Sequence, residues 1–265
     1  MTFMTTLKKF QAVKMKLNDY SFKAKEYAIA DNGGTTHVAF KNIPALINKH
    51  ASGKKTLDYG CGTGCSTLFL AETGLDVEGV DICPHMLQEA SNHTDIPLTL
   101  IQSAQLPYDN NCFNIVFSSF VLFEIGSKAE MIDVFNEIYR VLAPGGVFIS
   151  ITGTEELYKK KWLTMDVDFP ENKNLKSGDI AKVLLSDVNV LVYDYYWTHE
   201  DYLEVINKTH FMHVETMRPL GDKNDGYAWI DEEKYPPYVI YILKKGFTAY
   251  PAQTGNKPKS GCFVC

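Results

Sequence analysis

An α/β fold, with a mostly parallel sheet doubly wound by helices on both faces, is predicted by three observations. Short apolar runs alternate with helical patterns from residue 54 to residue 152, the first run breaks into the loop Gly60-Cys61-Gly62-Thr63-Gly64, and the second run ends on an acidic residue, Asp81. Alternating strands and helices imply parallel strands joined by crossover helices, and such sheets take their ligands beyond the carboxyl ends of the strands.

The elements follow in order. Tyr20, Phe22, Tyr27 and Ile29, then the helical spacing Val38, Phe40, Ile43, Leu46 and Ile47, make residues 1–50 cover helices. A strand is expected near 54–59, followed by a helix over 64–73 through Ser66, Thr67, Leu68, Phe69, Leu70 and Ala71. The run Leu75, Val77, Val80 predicts a strand over 75–81; a helix over 84–92, strands over 98–102 and 113–119, a helix over 127–141 and a strand over 146–152 continue the alternation. Two last strands are expected at 212–217 and 237–243, within a main domain of residues 51–245. Between about 153 and 196 the pattern stops in a segment rich in Lys, Asp, Asn and aromatics, read as an inserted lid. Thr198, with Asp201 three residues on, is placed to cap the next helix.

Strand, tight glycine loop and helix define a nucleotide-binding crevice. Glycine is needed where the backbone takes positive φ or must let a ligand touch the chain, and Gly60, Gly62 and Gly64 can do both. The spacing G-x-G-x-G differs from the G-x-G-x-x-G of dinucleotide sites, whose helix N-terminus faces a pyrophosphate. Asp58 just before the glycines makes the loop acidic, which suits a positively charged ligand. Asp81, at the carboxyl edge of the neighbouring strand, can accept two hydrogen bonds from a ribose diol.

On these residues the chain resembles the class I S-adenosylmethionine-dependent methyltransferases, in the broad group that modifies small molecules. The likeness spans about residues 20 to 245 and rests on four segments in order: Leu57 to Gly64; Val80-Asp81; Gln105 to Asp109 through Phe113 to Ser119; and Val141-Leu142-Ala143-Pro144-Gly145-Gly146. It implies a seven-stranded sheet whose last strand runs antiparallel, S-adenosylmethionine as cofactor, and methyl transfer to a small-molecule O, N or C acceptor. It also implies that Asp58, Gly60, Cys61, Gly62 and Gly64 surround the methionine and adenosine moieties, Asp81 the ribose, and Ser103, Ala104 and Gln105 the adenine, with Ile82 packed on its face. Ser118 and Ser119 would lie beneath the transferred methyl group. Ser103 departs from the family, where an aspartate commonly stands, and Phe123 departs from relatives that carry a histidine there. Glu124 is then the nearest candidate base, against a reading as a helix cap or surface charge. Tyr27 resembles the N-terminal tyrosine that closes over the cofactor in many relatives, with core packing as the competing reading. His199, in a first helical turn where the dipole disfavours imidazolium, is a candidate neutral base or a surface histidine. The chain could also bind the cofactor without turnover, as a tethered sensor or scaffold.

Composition narrows the class further. With 265 residues, 45% of them hydrophobic, the chain can build one large core or a core with a subdomain, and six cysteines without a disulfide framework fit a reducing cytoplasm. A net charge of −6 without a basic stripe argues against a nucleic-acid partner. His210-x-x-His213 has no partners at metal spacing and is read as structural, so no metal is expected. From 246 to 265 the composition turns to that of a flexible tail ending in Cys262-Phe263-Val264-Cys265, a C-a-a-X box in which Cys262 is a candidate for prenylation. Contact with a membrane is expected only if that cysteine is lipidated.

Overall fold

The computed structural model describes residues 17–20, 23–28 and 32–247, without the Tyr27 side chain; the C-terminal box with Cys262 and Cys265 lies outside the described residues. Three helices open the chain, α1 (Ala24–Tyr27), α2 (Gly34–Phe40) and α3 (Ile43–His50). Then β1 (Lys55–Tyr59), α4 (Cys65–Glu72), β2 (Asp76–Asp81), α5 (Pro84–Ser91), β3 (Leu98–Leu100), β4 (Phe113–Ser119), α6 (Lys128–Val141) and β5 (Leu142–Gly153) alternate as expected. Three short strands follow, β6 (Met165–Asp166), β7 (Ile180–Leu185) and β8 (Val190–Tyr195), before α7 (His199–Asn207), β9 (Met212–Met217) and β10 (Tyr238–Lys244) complete the main sheet.

That sheet has seven strands in the order β3-β2-β1-β4-β5-β10-β9. Pairing is parallel from β3 through β5, and β10 runs antiparallel to both β5 and β9. The order reverses between β1 and β4, and a crevice opens at such a switch point because the crossover helices on either side leave in opposite directions.

Period-2 alternation sends successive side chains to opposite faces. On β10, Tyr238, Ile240 and Ile242 enter the core under α2, α3 and the insert, while Val239, Tyr241 and Leu243 enter the core under α6 and α7. Phe117 and Ile149 belong to the first core, Val116 and Phe148 to the second, all fully buried. Each such side chain contributes about 1.5–3 kcal/mol by leaving water. α6 buries Met131, Val134, Phe135, Ile138 and Val141, the 3–4 spacing of one helical stripe, and starts where Ser127 Oγ accepts from the Glu130 amide at 3.2 Å. The start of α7 is the expected one: Thr198 Oγ1 accepts from the Asp201 amide at 3.2 Å, and Asp201 Oδ2 accepts from the Thr198 amide at 2.9 Å.

The irregular insert expected after residue 153 is in fact a three-stranded antiparallel sheet, β6-β7-β8. Its hairpin is legible afterwards: Ala181 and Val183 on β7, and Val190, Val192 and Asp194 on β8, are the buried alternates, and Asn189 takes the left-handed φ of 53° in the turn. The polar content of the outward alternates masked that period. One of the inward alternates is a carboxylate, Asp194.

Candidate cofactor and acceptor site

The switch point opens into a cavity of about 510 Å³, within the range of small-molecule sites. Its floor is the carboxyl ends of β1, β2 and β4, and its far wall is the insert.

The glycine loop is held in place from β2. The amides of Gly60 and Cys61 donate to the Val80 carbonyl at 2.8 and 3.0 Å, and the amide of Gly62 donates to Asp81 Oδ2 at 2.9 Å. Asp81 Oδ1 accepts from the Cys83 amide at 2.7 Å, so one carboxylate fastens the loop to the start of α5. Gly60 and Gly62 have φ of 78° and 53°, the left-handed region. At Gly62 the nearest atom to an added Cβ is Met86 Cε at 3.4 Å, so the loop presents bare backbone to the cavity.

Of the residues assigned to the cofactor from sequence, Gly60, Cys61, Gly62, Asp81, Ile82, Ser103 and Ser119 line the cavity. Ile82 is 46% exposed although apolar, which suits a face awaiting a planar ligand. Asp58, Gly64, Ala104, Gln105 and Ser118 are not among its lining residues, and each has a physical reason. Asp58 occupies the alternate of β1 that faces α4, where its Oδ2 accepts from Ser66 Oγ and Thr67 Oγ1, both at 2.7 Å. It positions the loop and helix and does not face the ligand space. Gly64 caps α4 with φ 89°. Ala104 and Gln105 form a tight turn in which the Gln105 amide donates to the Gln102 carbonyl at 3.0 Å. Ser118 is buried in β4, where its hydroxyl meets no hydrogen-bond partner among the described residues.

Glu124 does reach the cavity, in a 3-10 turn (Leu122–Glu124) after β4. Its Oε1 accepts from Asn18 Nδ2 at 2.8 Å and from the Tyr20 hydroxyl. Burial pushes its carboxyl up to about 7, against the lowering by those two donors. Asn18 also pairs with the backbone of Tyr193 on β8, giving and taking hydrogen bonds at 2.7 and 2.9 Å, so the N-terminal segment straps the turn to the insert. Sequence reading missed Asn18, because a lone asparagine before the first helix carries no local signal.

His199 is placed elsewhere, a correction to its reading as a base. It does not line the cavity: its ring stacks on Tyr241 at 5.7 Å and 7°, with Nδ1 2.6 Å from the Tyr241 hydroxyl, on the α7 face of the sheet. The Tyr27 side chain lies outside the described residues, so its expected role over the cofactor finds no counterpart here.

Three carboxyls, the buried Asp58 and Asp194 and the half-buried Glu124, are held above their ordinary range mainly by desolvation: Asp58 to about 6, Glu124 to about 7 and Asp194 to about 8. The native state therefore holds protons that the unfolded chain has already lost, and stability must fall as pH rises through these values. Lowered groups such as Asp201, at about 2, act only in acid, and the lowered His199 opposes the trend only below its ordinary value. Melting is expected at least about 3 °C lower at pH 8.5 than at pH 6.5, and Asp194→Asn should flatten the difference. A calorimetric scan with equal or rising Tm over that interval contradicts the burial of these groups.

This arrangement matches known proteins. The family profile described as a methyltransferase domain matches residues 57–150, the segment from β1 into β5. An uncharacterized methyltransferase of Synechocystis is 32% identical over 129 residues, 46% of this chain, and the chain spans 59% of that relative's length. N-demethylindolmycin N-methyltransferase of Streptomyces griseus is 25% identical over 181 residues, 66% of this chain and 76% of that protein. In fold, the crystal structure of an S-adenosylmethionine dependent methyltransferase from Mesorhizobium loti superposes with TM-score 0.56 at 19% identity, covering 77% of this chain and 97% of that one. Residues 57–150 thus match a methyltransferase domain, and the fold is that of S-adenosylmethionine-dependent methyltransferases, whose cofactor is S-adenosylmethionine.

Its residues fit that cofactor. The described residues that line the cavity include six carboxylates, Asp19, Asp81, Glu124, Glu130, Asp187 and Asp194, and no lysine, arginine or histidine. That lining repels a phosphate and favours a cation, and a sulfonium is one. Gly60, Cys61, Gly62 and Asp81 would hold the cofactor at one end, with Ile82 and Ser103 beside them.

Proposed function

We propose that the protein transfers the methyl group of S-adenosylmethionine to a small-molecule O, N or C acceptor. The observation that carries this reading is the continuity of one cavity from the glycine loop, past Ser119 and Phe120 at the end of β4, to the inner face of the insert. When bound, S-adenosylmethionine supplies an electrophilic methyl group on a cationic sulfur. The chain's own contribution is position and exclusion of water: the Gly62 amide and Asp81 set one end, and the insert sheet covers the other. Phe120 holds a left-handed φ of 62° while its amide donates to the Ile151 carbonyl at 3.0 Å, a strained non-glycine backbone that aims an aromatic ring into the crevice. Glu124, held near neutrality, can take a proton from an acceptor at ordinary pH. The Streptomyces griseus relative is by name an N-methyltransferase, which supports nitrogen among the acceptors.

The test incubates the purified chain with methyl-labelled S-adenosylmethionine and a small-molecule extract, followed by mass spectrometry. A labelled product that Asp81→Ala fails to make supports the enzyme. Cofactor binding without any transfer of label supports instead the silent sensor or scaffold. The acidic lining and the net charge of −6 favour a small-molecule substrate over nucleic acid. Cytoplasmic location belongs to the same proposal, with membrane contact only if Cys262 is prenylated; a prenyl mass increment on the peptide that carries Cys262, from a eukaryotic host, is the readout of that condition.

A further inference from the structure

The insert end of the cavity has a chemistry of its own. Asp194 is only 3% exposed, yet it lines the cavity. Its Oδ2 accepts from the Tyr158 hydroxyl at 3.0 Å, and no donor among the described residues reaches its Oδ1. Glu124 lines the same cavity, held toward β8 by Asn18, which bonds both Glu124 and the backbone of Tyr193, and its charge adds to burial in raising the Asp194 carboxyl. Asp187, in the β7–β8 turn, adds a third carboxylate at the rim. Lys23 is the cation whose charge reaches Glu124, but its Nζ is spent on the Leu191 carbonyl at 2.5 Å and it does not line the cavity. A buried and a half-buried carboxylate in one cavity, with no cation among its described lining residues, are costly unless they hold protons or a cationic ligand completes them.

Aromatic rings stand in the same cavity, among aliphatic side chains of the insert such as Val183, Leu185 and Val192. Phe120 lies parallel to Phe123, with centroids 6.2 Å apart and planes 17° apart, and its other side meets Tyr238 at 5.1 Å. Aromatic faces attract a cation that the carboxylates hold nearby and also accept a planar apolar group.

Resting on the methyltransferase reading, we propose that this end of the cavity is an acceptor subsite for a cationic amine bearing an apolar or aromatic group, its ammonium held between Asp194 and Glu124 and its apolar part against Phe120, Phe123 and Tyr238. The bound ammonium gives one proton to the carboxylate of Glu124. The freed nitrogen lone pair then forms the N–C bond to the methyl carbon and displaces sulfur, which takes the C–S electron pair and becomes a neutral thioether. The product is a methylated ammonium, and the proton on Glu124 returns to solvent, so charge and atoms balance. An O- or C-acceptor would have no use for a second buried carboxylate beside the base. Asp194 is thus the residue that selects the amine.

Titration calorimetry of the whole chain with 2-phenylethylamine, cationic at neutral pH, and with its uncharged analogue 2-phenylethanol tests the subsite without any turnover. The amine should bind at least about tenfold more tightly than the alcohol, and Asp194→Asn should remove most of that preference. S-adenosylhomocysteine, titrated separately into the same variant, should keep its affinity within about threefold, which shows that the fold and the cofactor end are intact. Equal binding of amine and alcohol, no binding of either at millimolar concentration, or an undiminished preference in Asp194→Asn each overturns the subsite. Loss of S-adenosylhomocysteine binding by the unmodified chain would instead overturn the methyltransferase reading, whatever the amine does.

Discussion

Replacing Asp81 with alanine should weaken S-adenosylhomocysteine binding by about 10- to 100-fold, the effect of losing one to two charge-assisted hydrogen bonds. The expected loss has two sources. The carboxylate would no longer accept from the ligand's hydroxyls, and it would release the Gly62 amide, 2.9 Å away, and the Cys83 amide, 2.7 Å away, which together fix the loop against α5. Asp81→Asn separates these sources, because its carbonyl oxygen can keep one amide bond while the charge is gone. Calorimetry on both variants is the measurement. Two isotherms indistinguishable from the unmodified chain would remove Asp81 from the site, and with it the assignment of the β2 end to a ribose.

Gly60→Ala should have the larger effect on the fold itself. At φ 78° an alanine carries a backbone strain of about 1–2 kcal/mol, and its Cβ would collide with Val121 Cγ2. Val121 is β-branched and leads into the 3-10 turn, so moving it disturbs the turn that carries Glu124. Overpacking of this kind costs a further ~1–3 kcal/mol. A chain of this size should melt about 4–15 °C lower and lose detectable cofactor binding even where it remains folded. Gly74→Ala is the matched control: its φ is 84°, but an added Cβ meets nothing within 4 Å, so it should show the strain alone. Equal melting of the two variants would mean that Val121 yields without cost and that the loop is not tightly packed.

Much of this was legible from the residue order. The period of Val77 and Val80, the 3–4 spacing of Met131, Val134, Phe135 and Ile138, and the Thr198 and Asp201 pair are local signals, and each produced its element within a residue or two. The glycine loop and Asp81 were legible for the same reason, since positive φ and a strand-end carboxylate leave their marks within a few positions of the chain. His199 misled because its helical position was read without knowing which face of the sheet α7 covers, and Tyr241 occupies that face.

The amino-acid sequence by itself determined the strand and helix alternation, the switch-point crevice and the loop that opens it, because backbone conformation and amphipathic period are properties of neighbouring residues. Only the tertiary structure decided what the crevice contains. It turned Asp58 toward Ser66 and Thr67 and away from the ligand space, and brought Asn18 and Tyr20 onto Glu124 across more than a hundred residues of chain. It also set Asp194 on the inward alternate of an insert strand, in the same cavity as that glutamate. The reason is physical: burial and charge pairing act through space in a low-dielectric interior, and no local pattern reports which distant group will stand across the cavity.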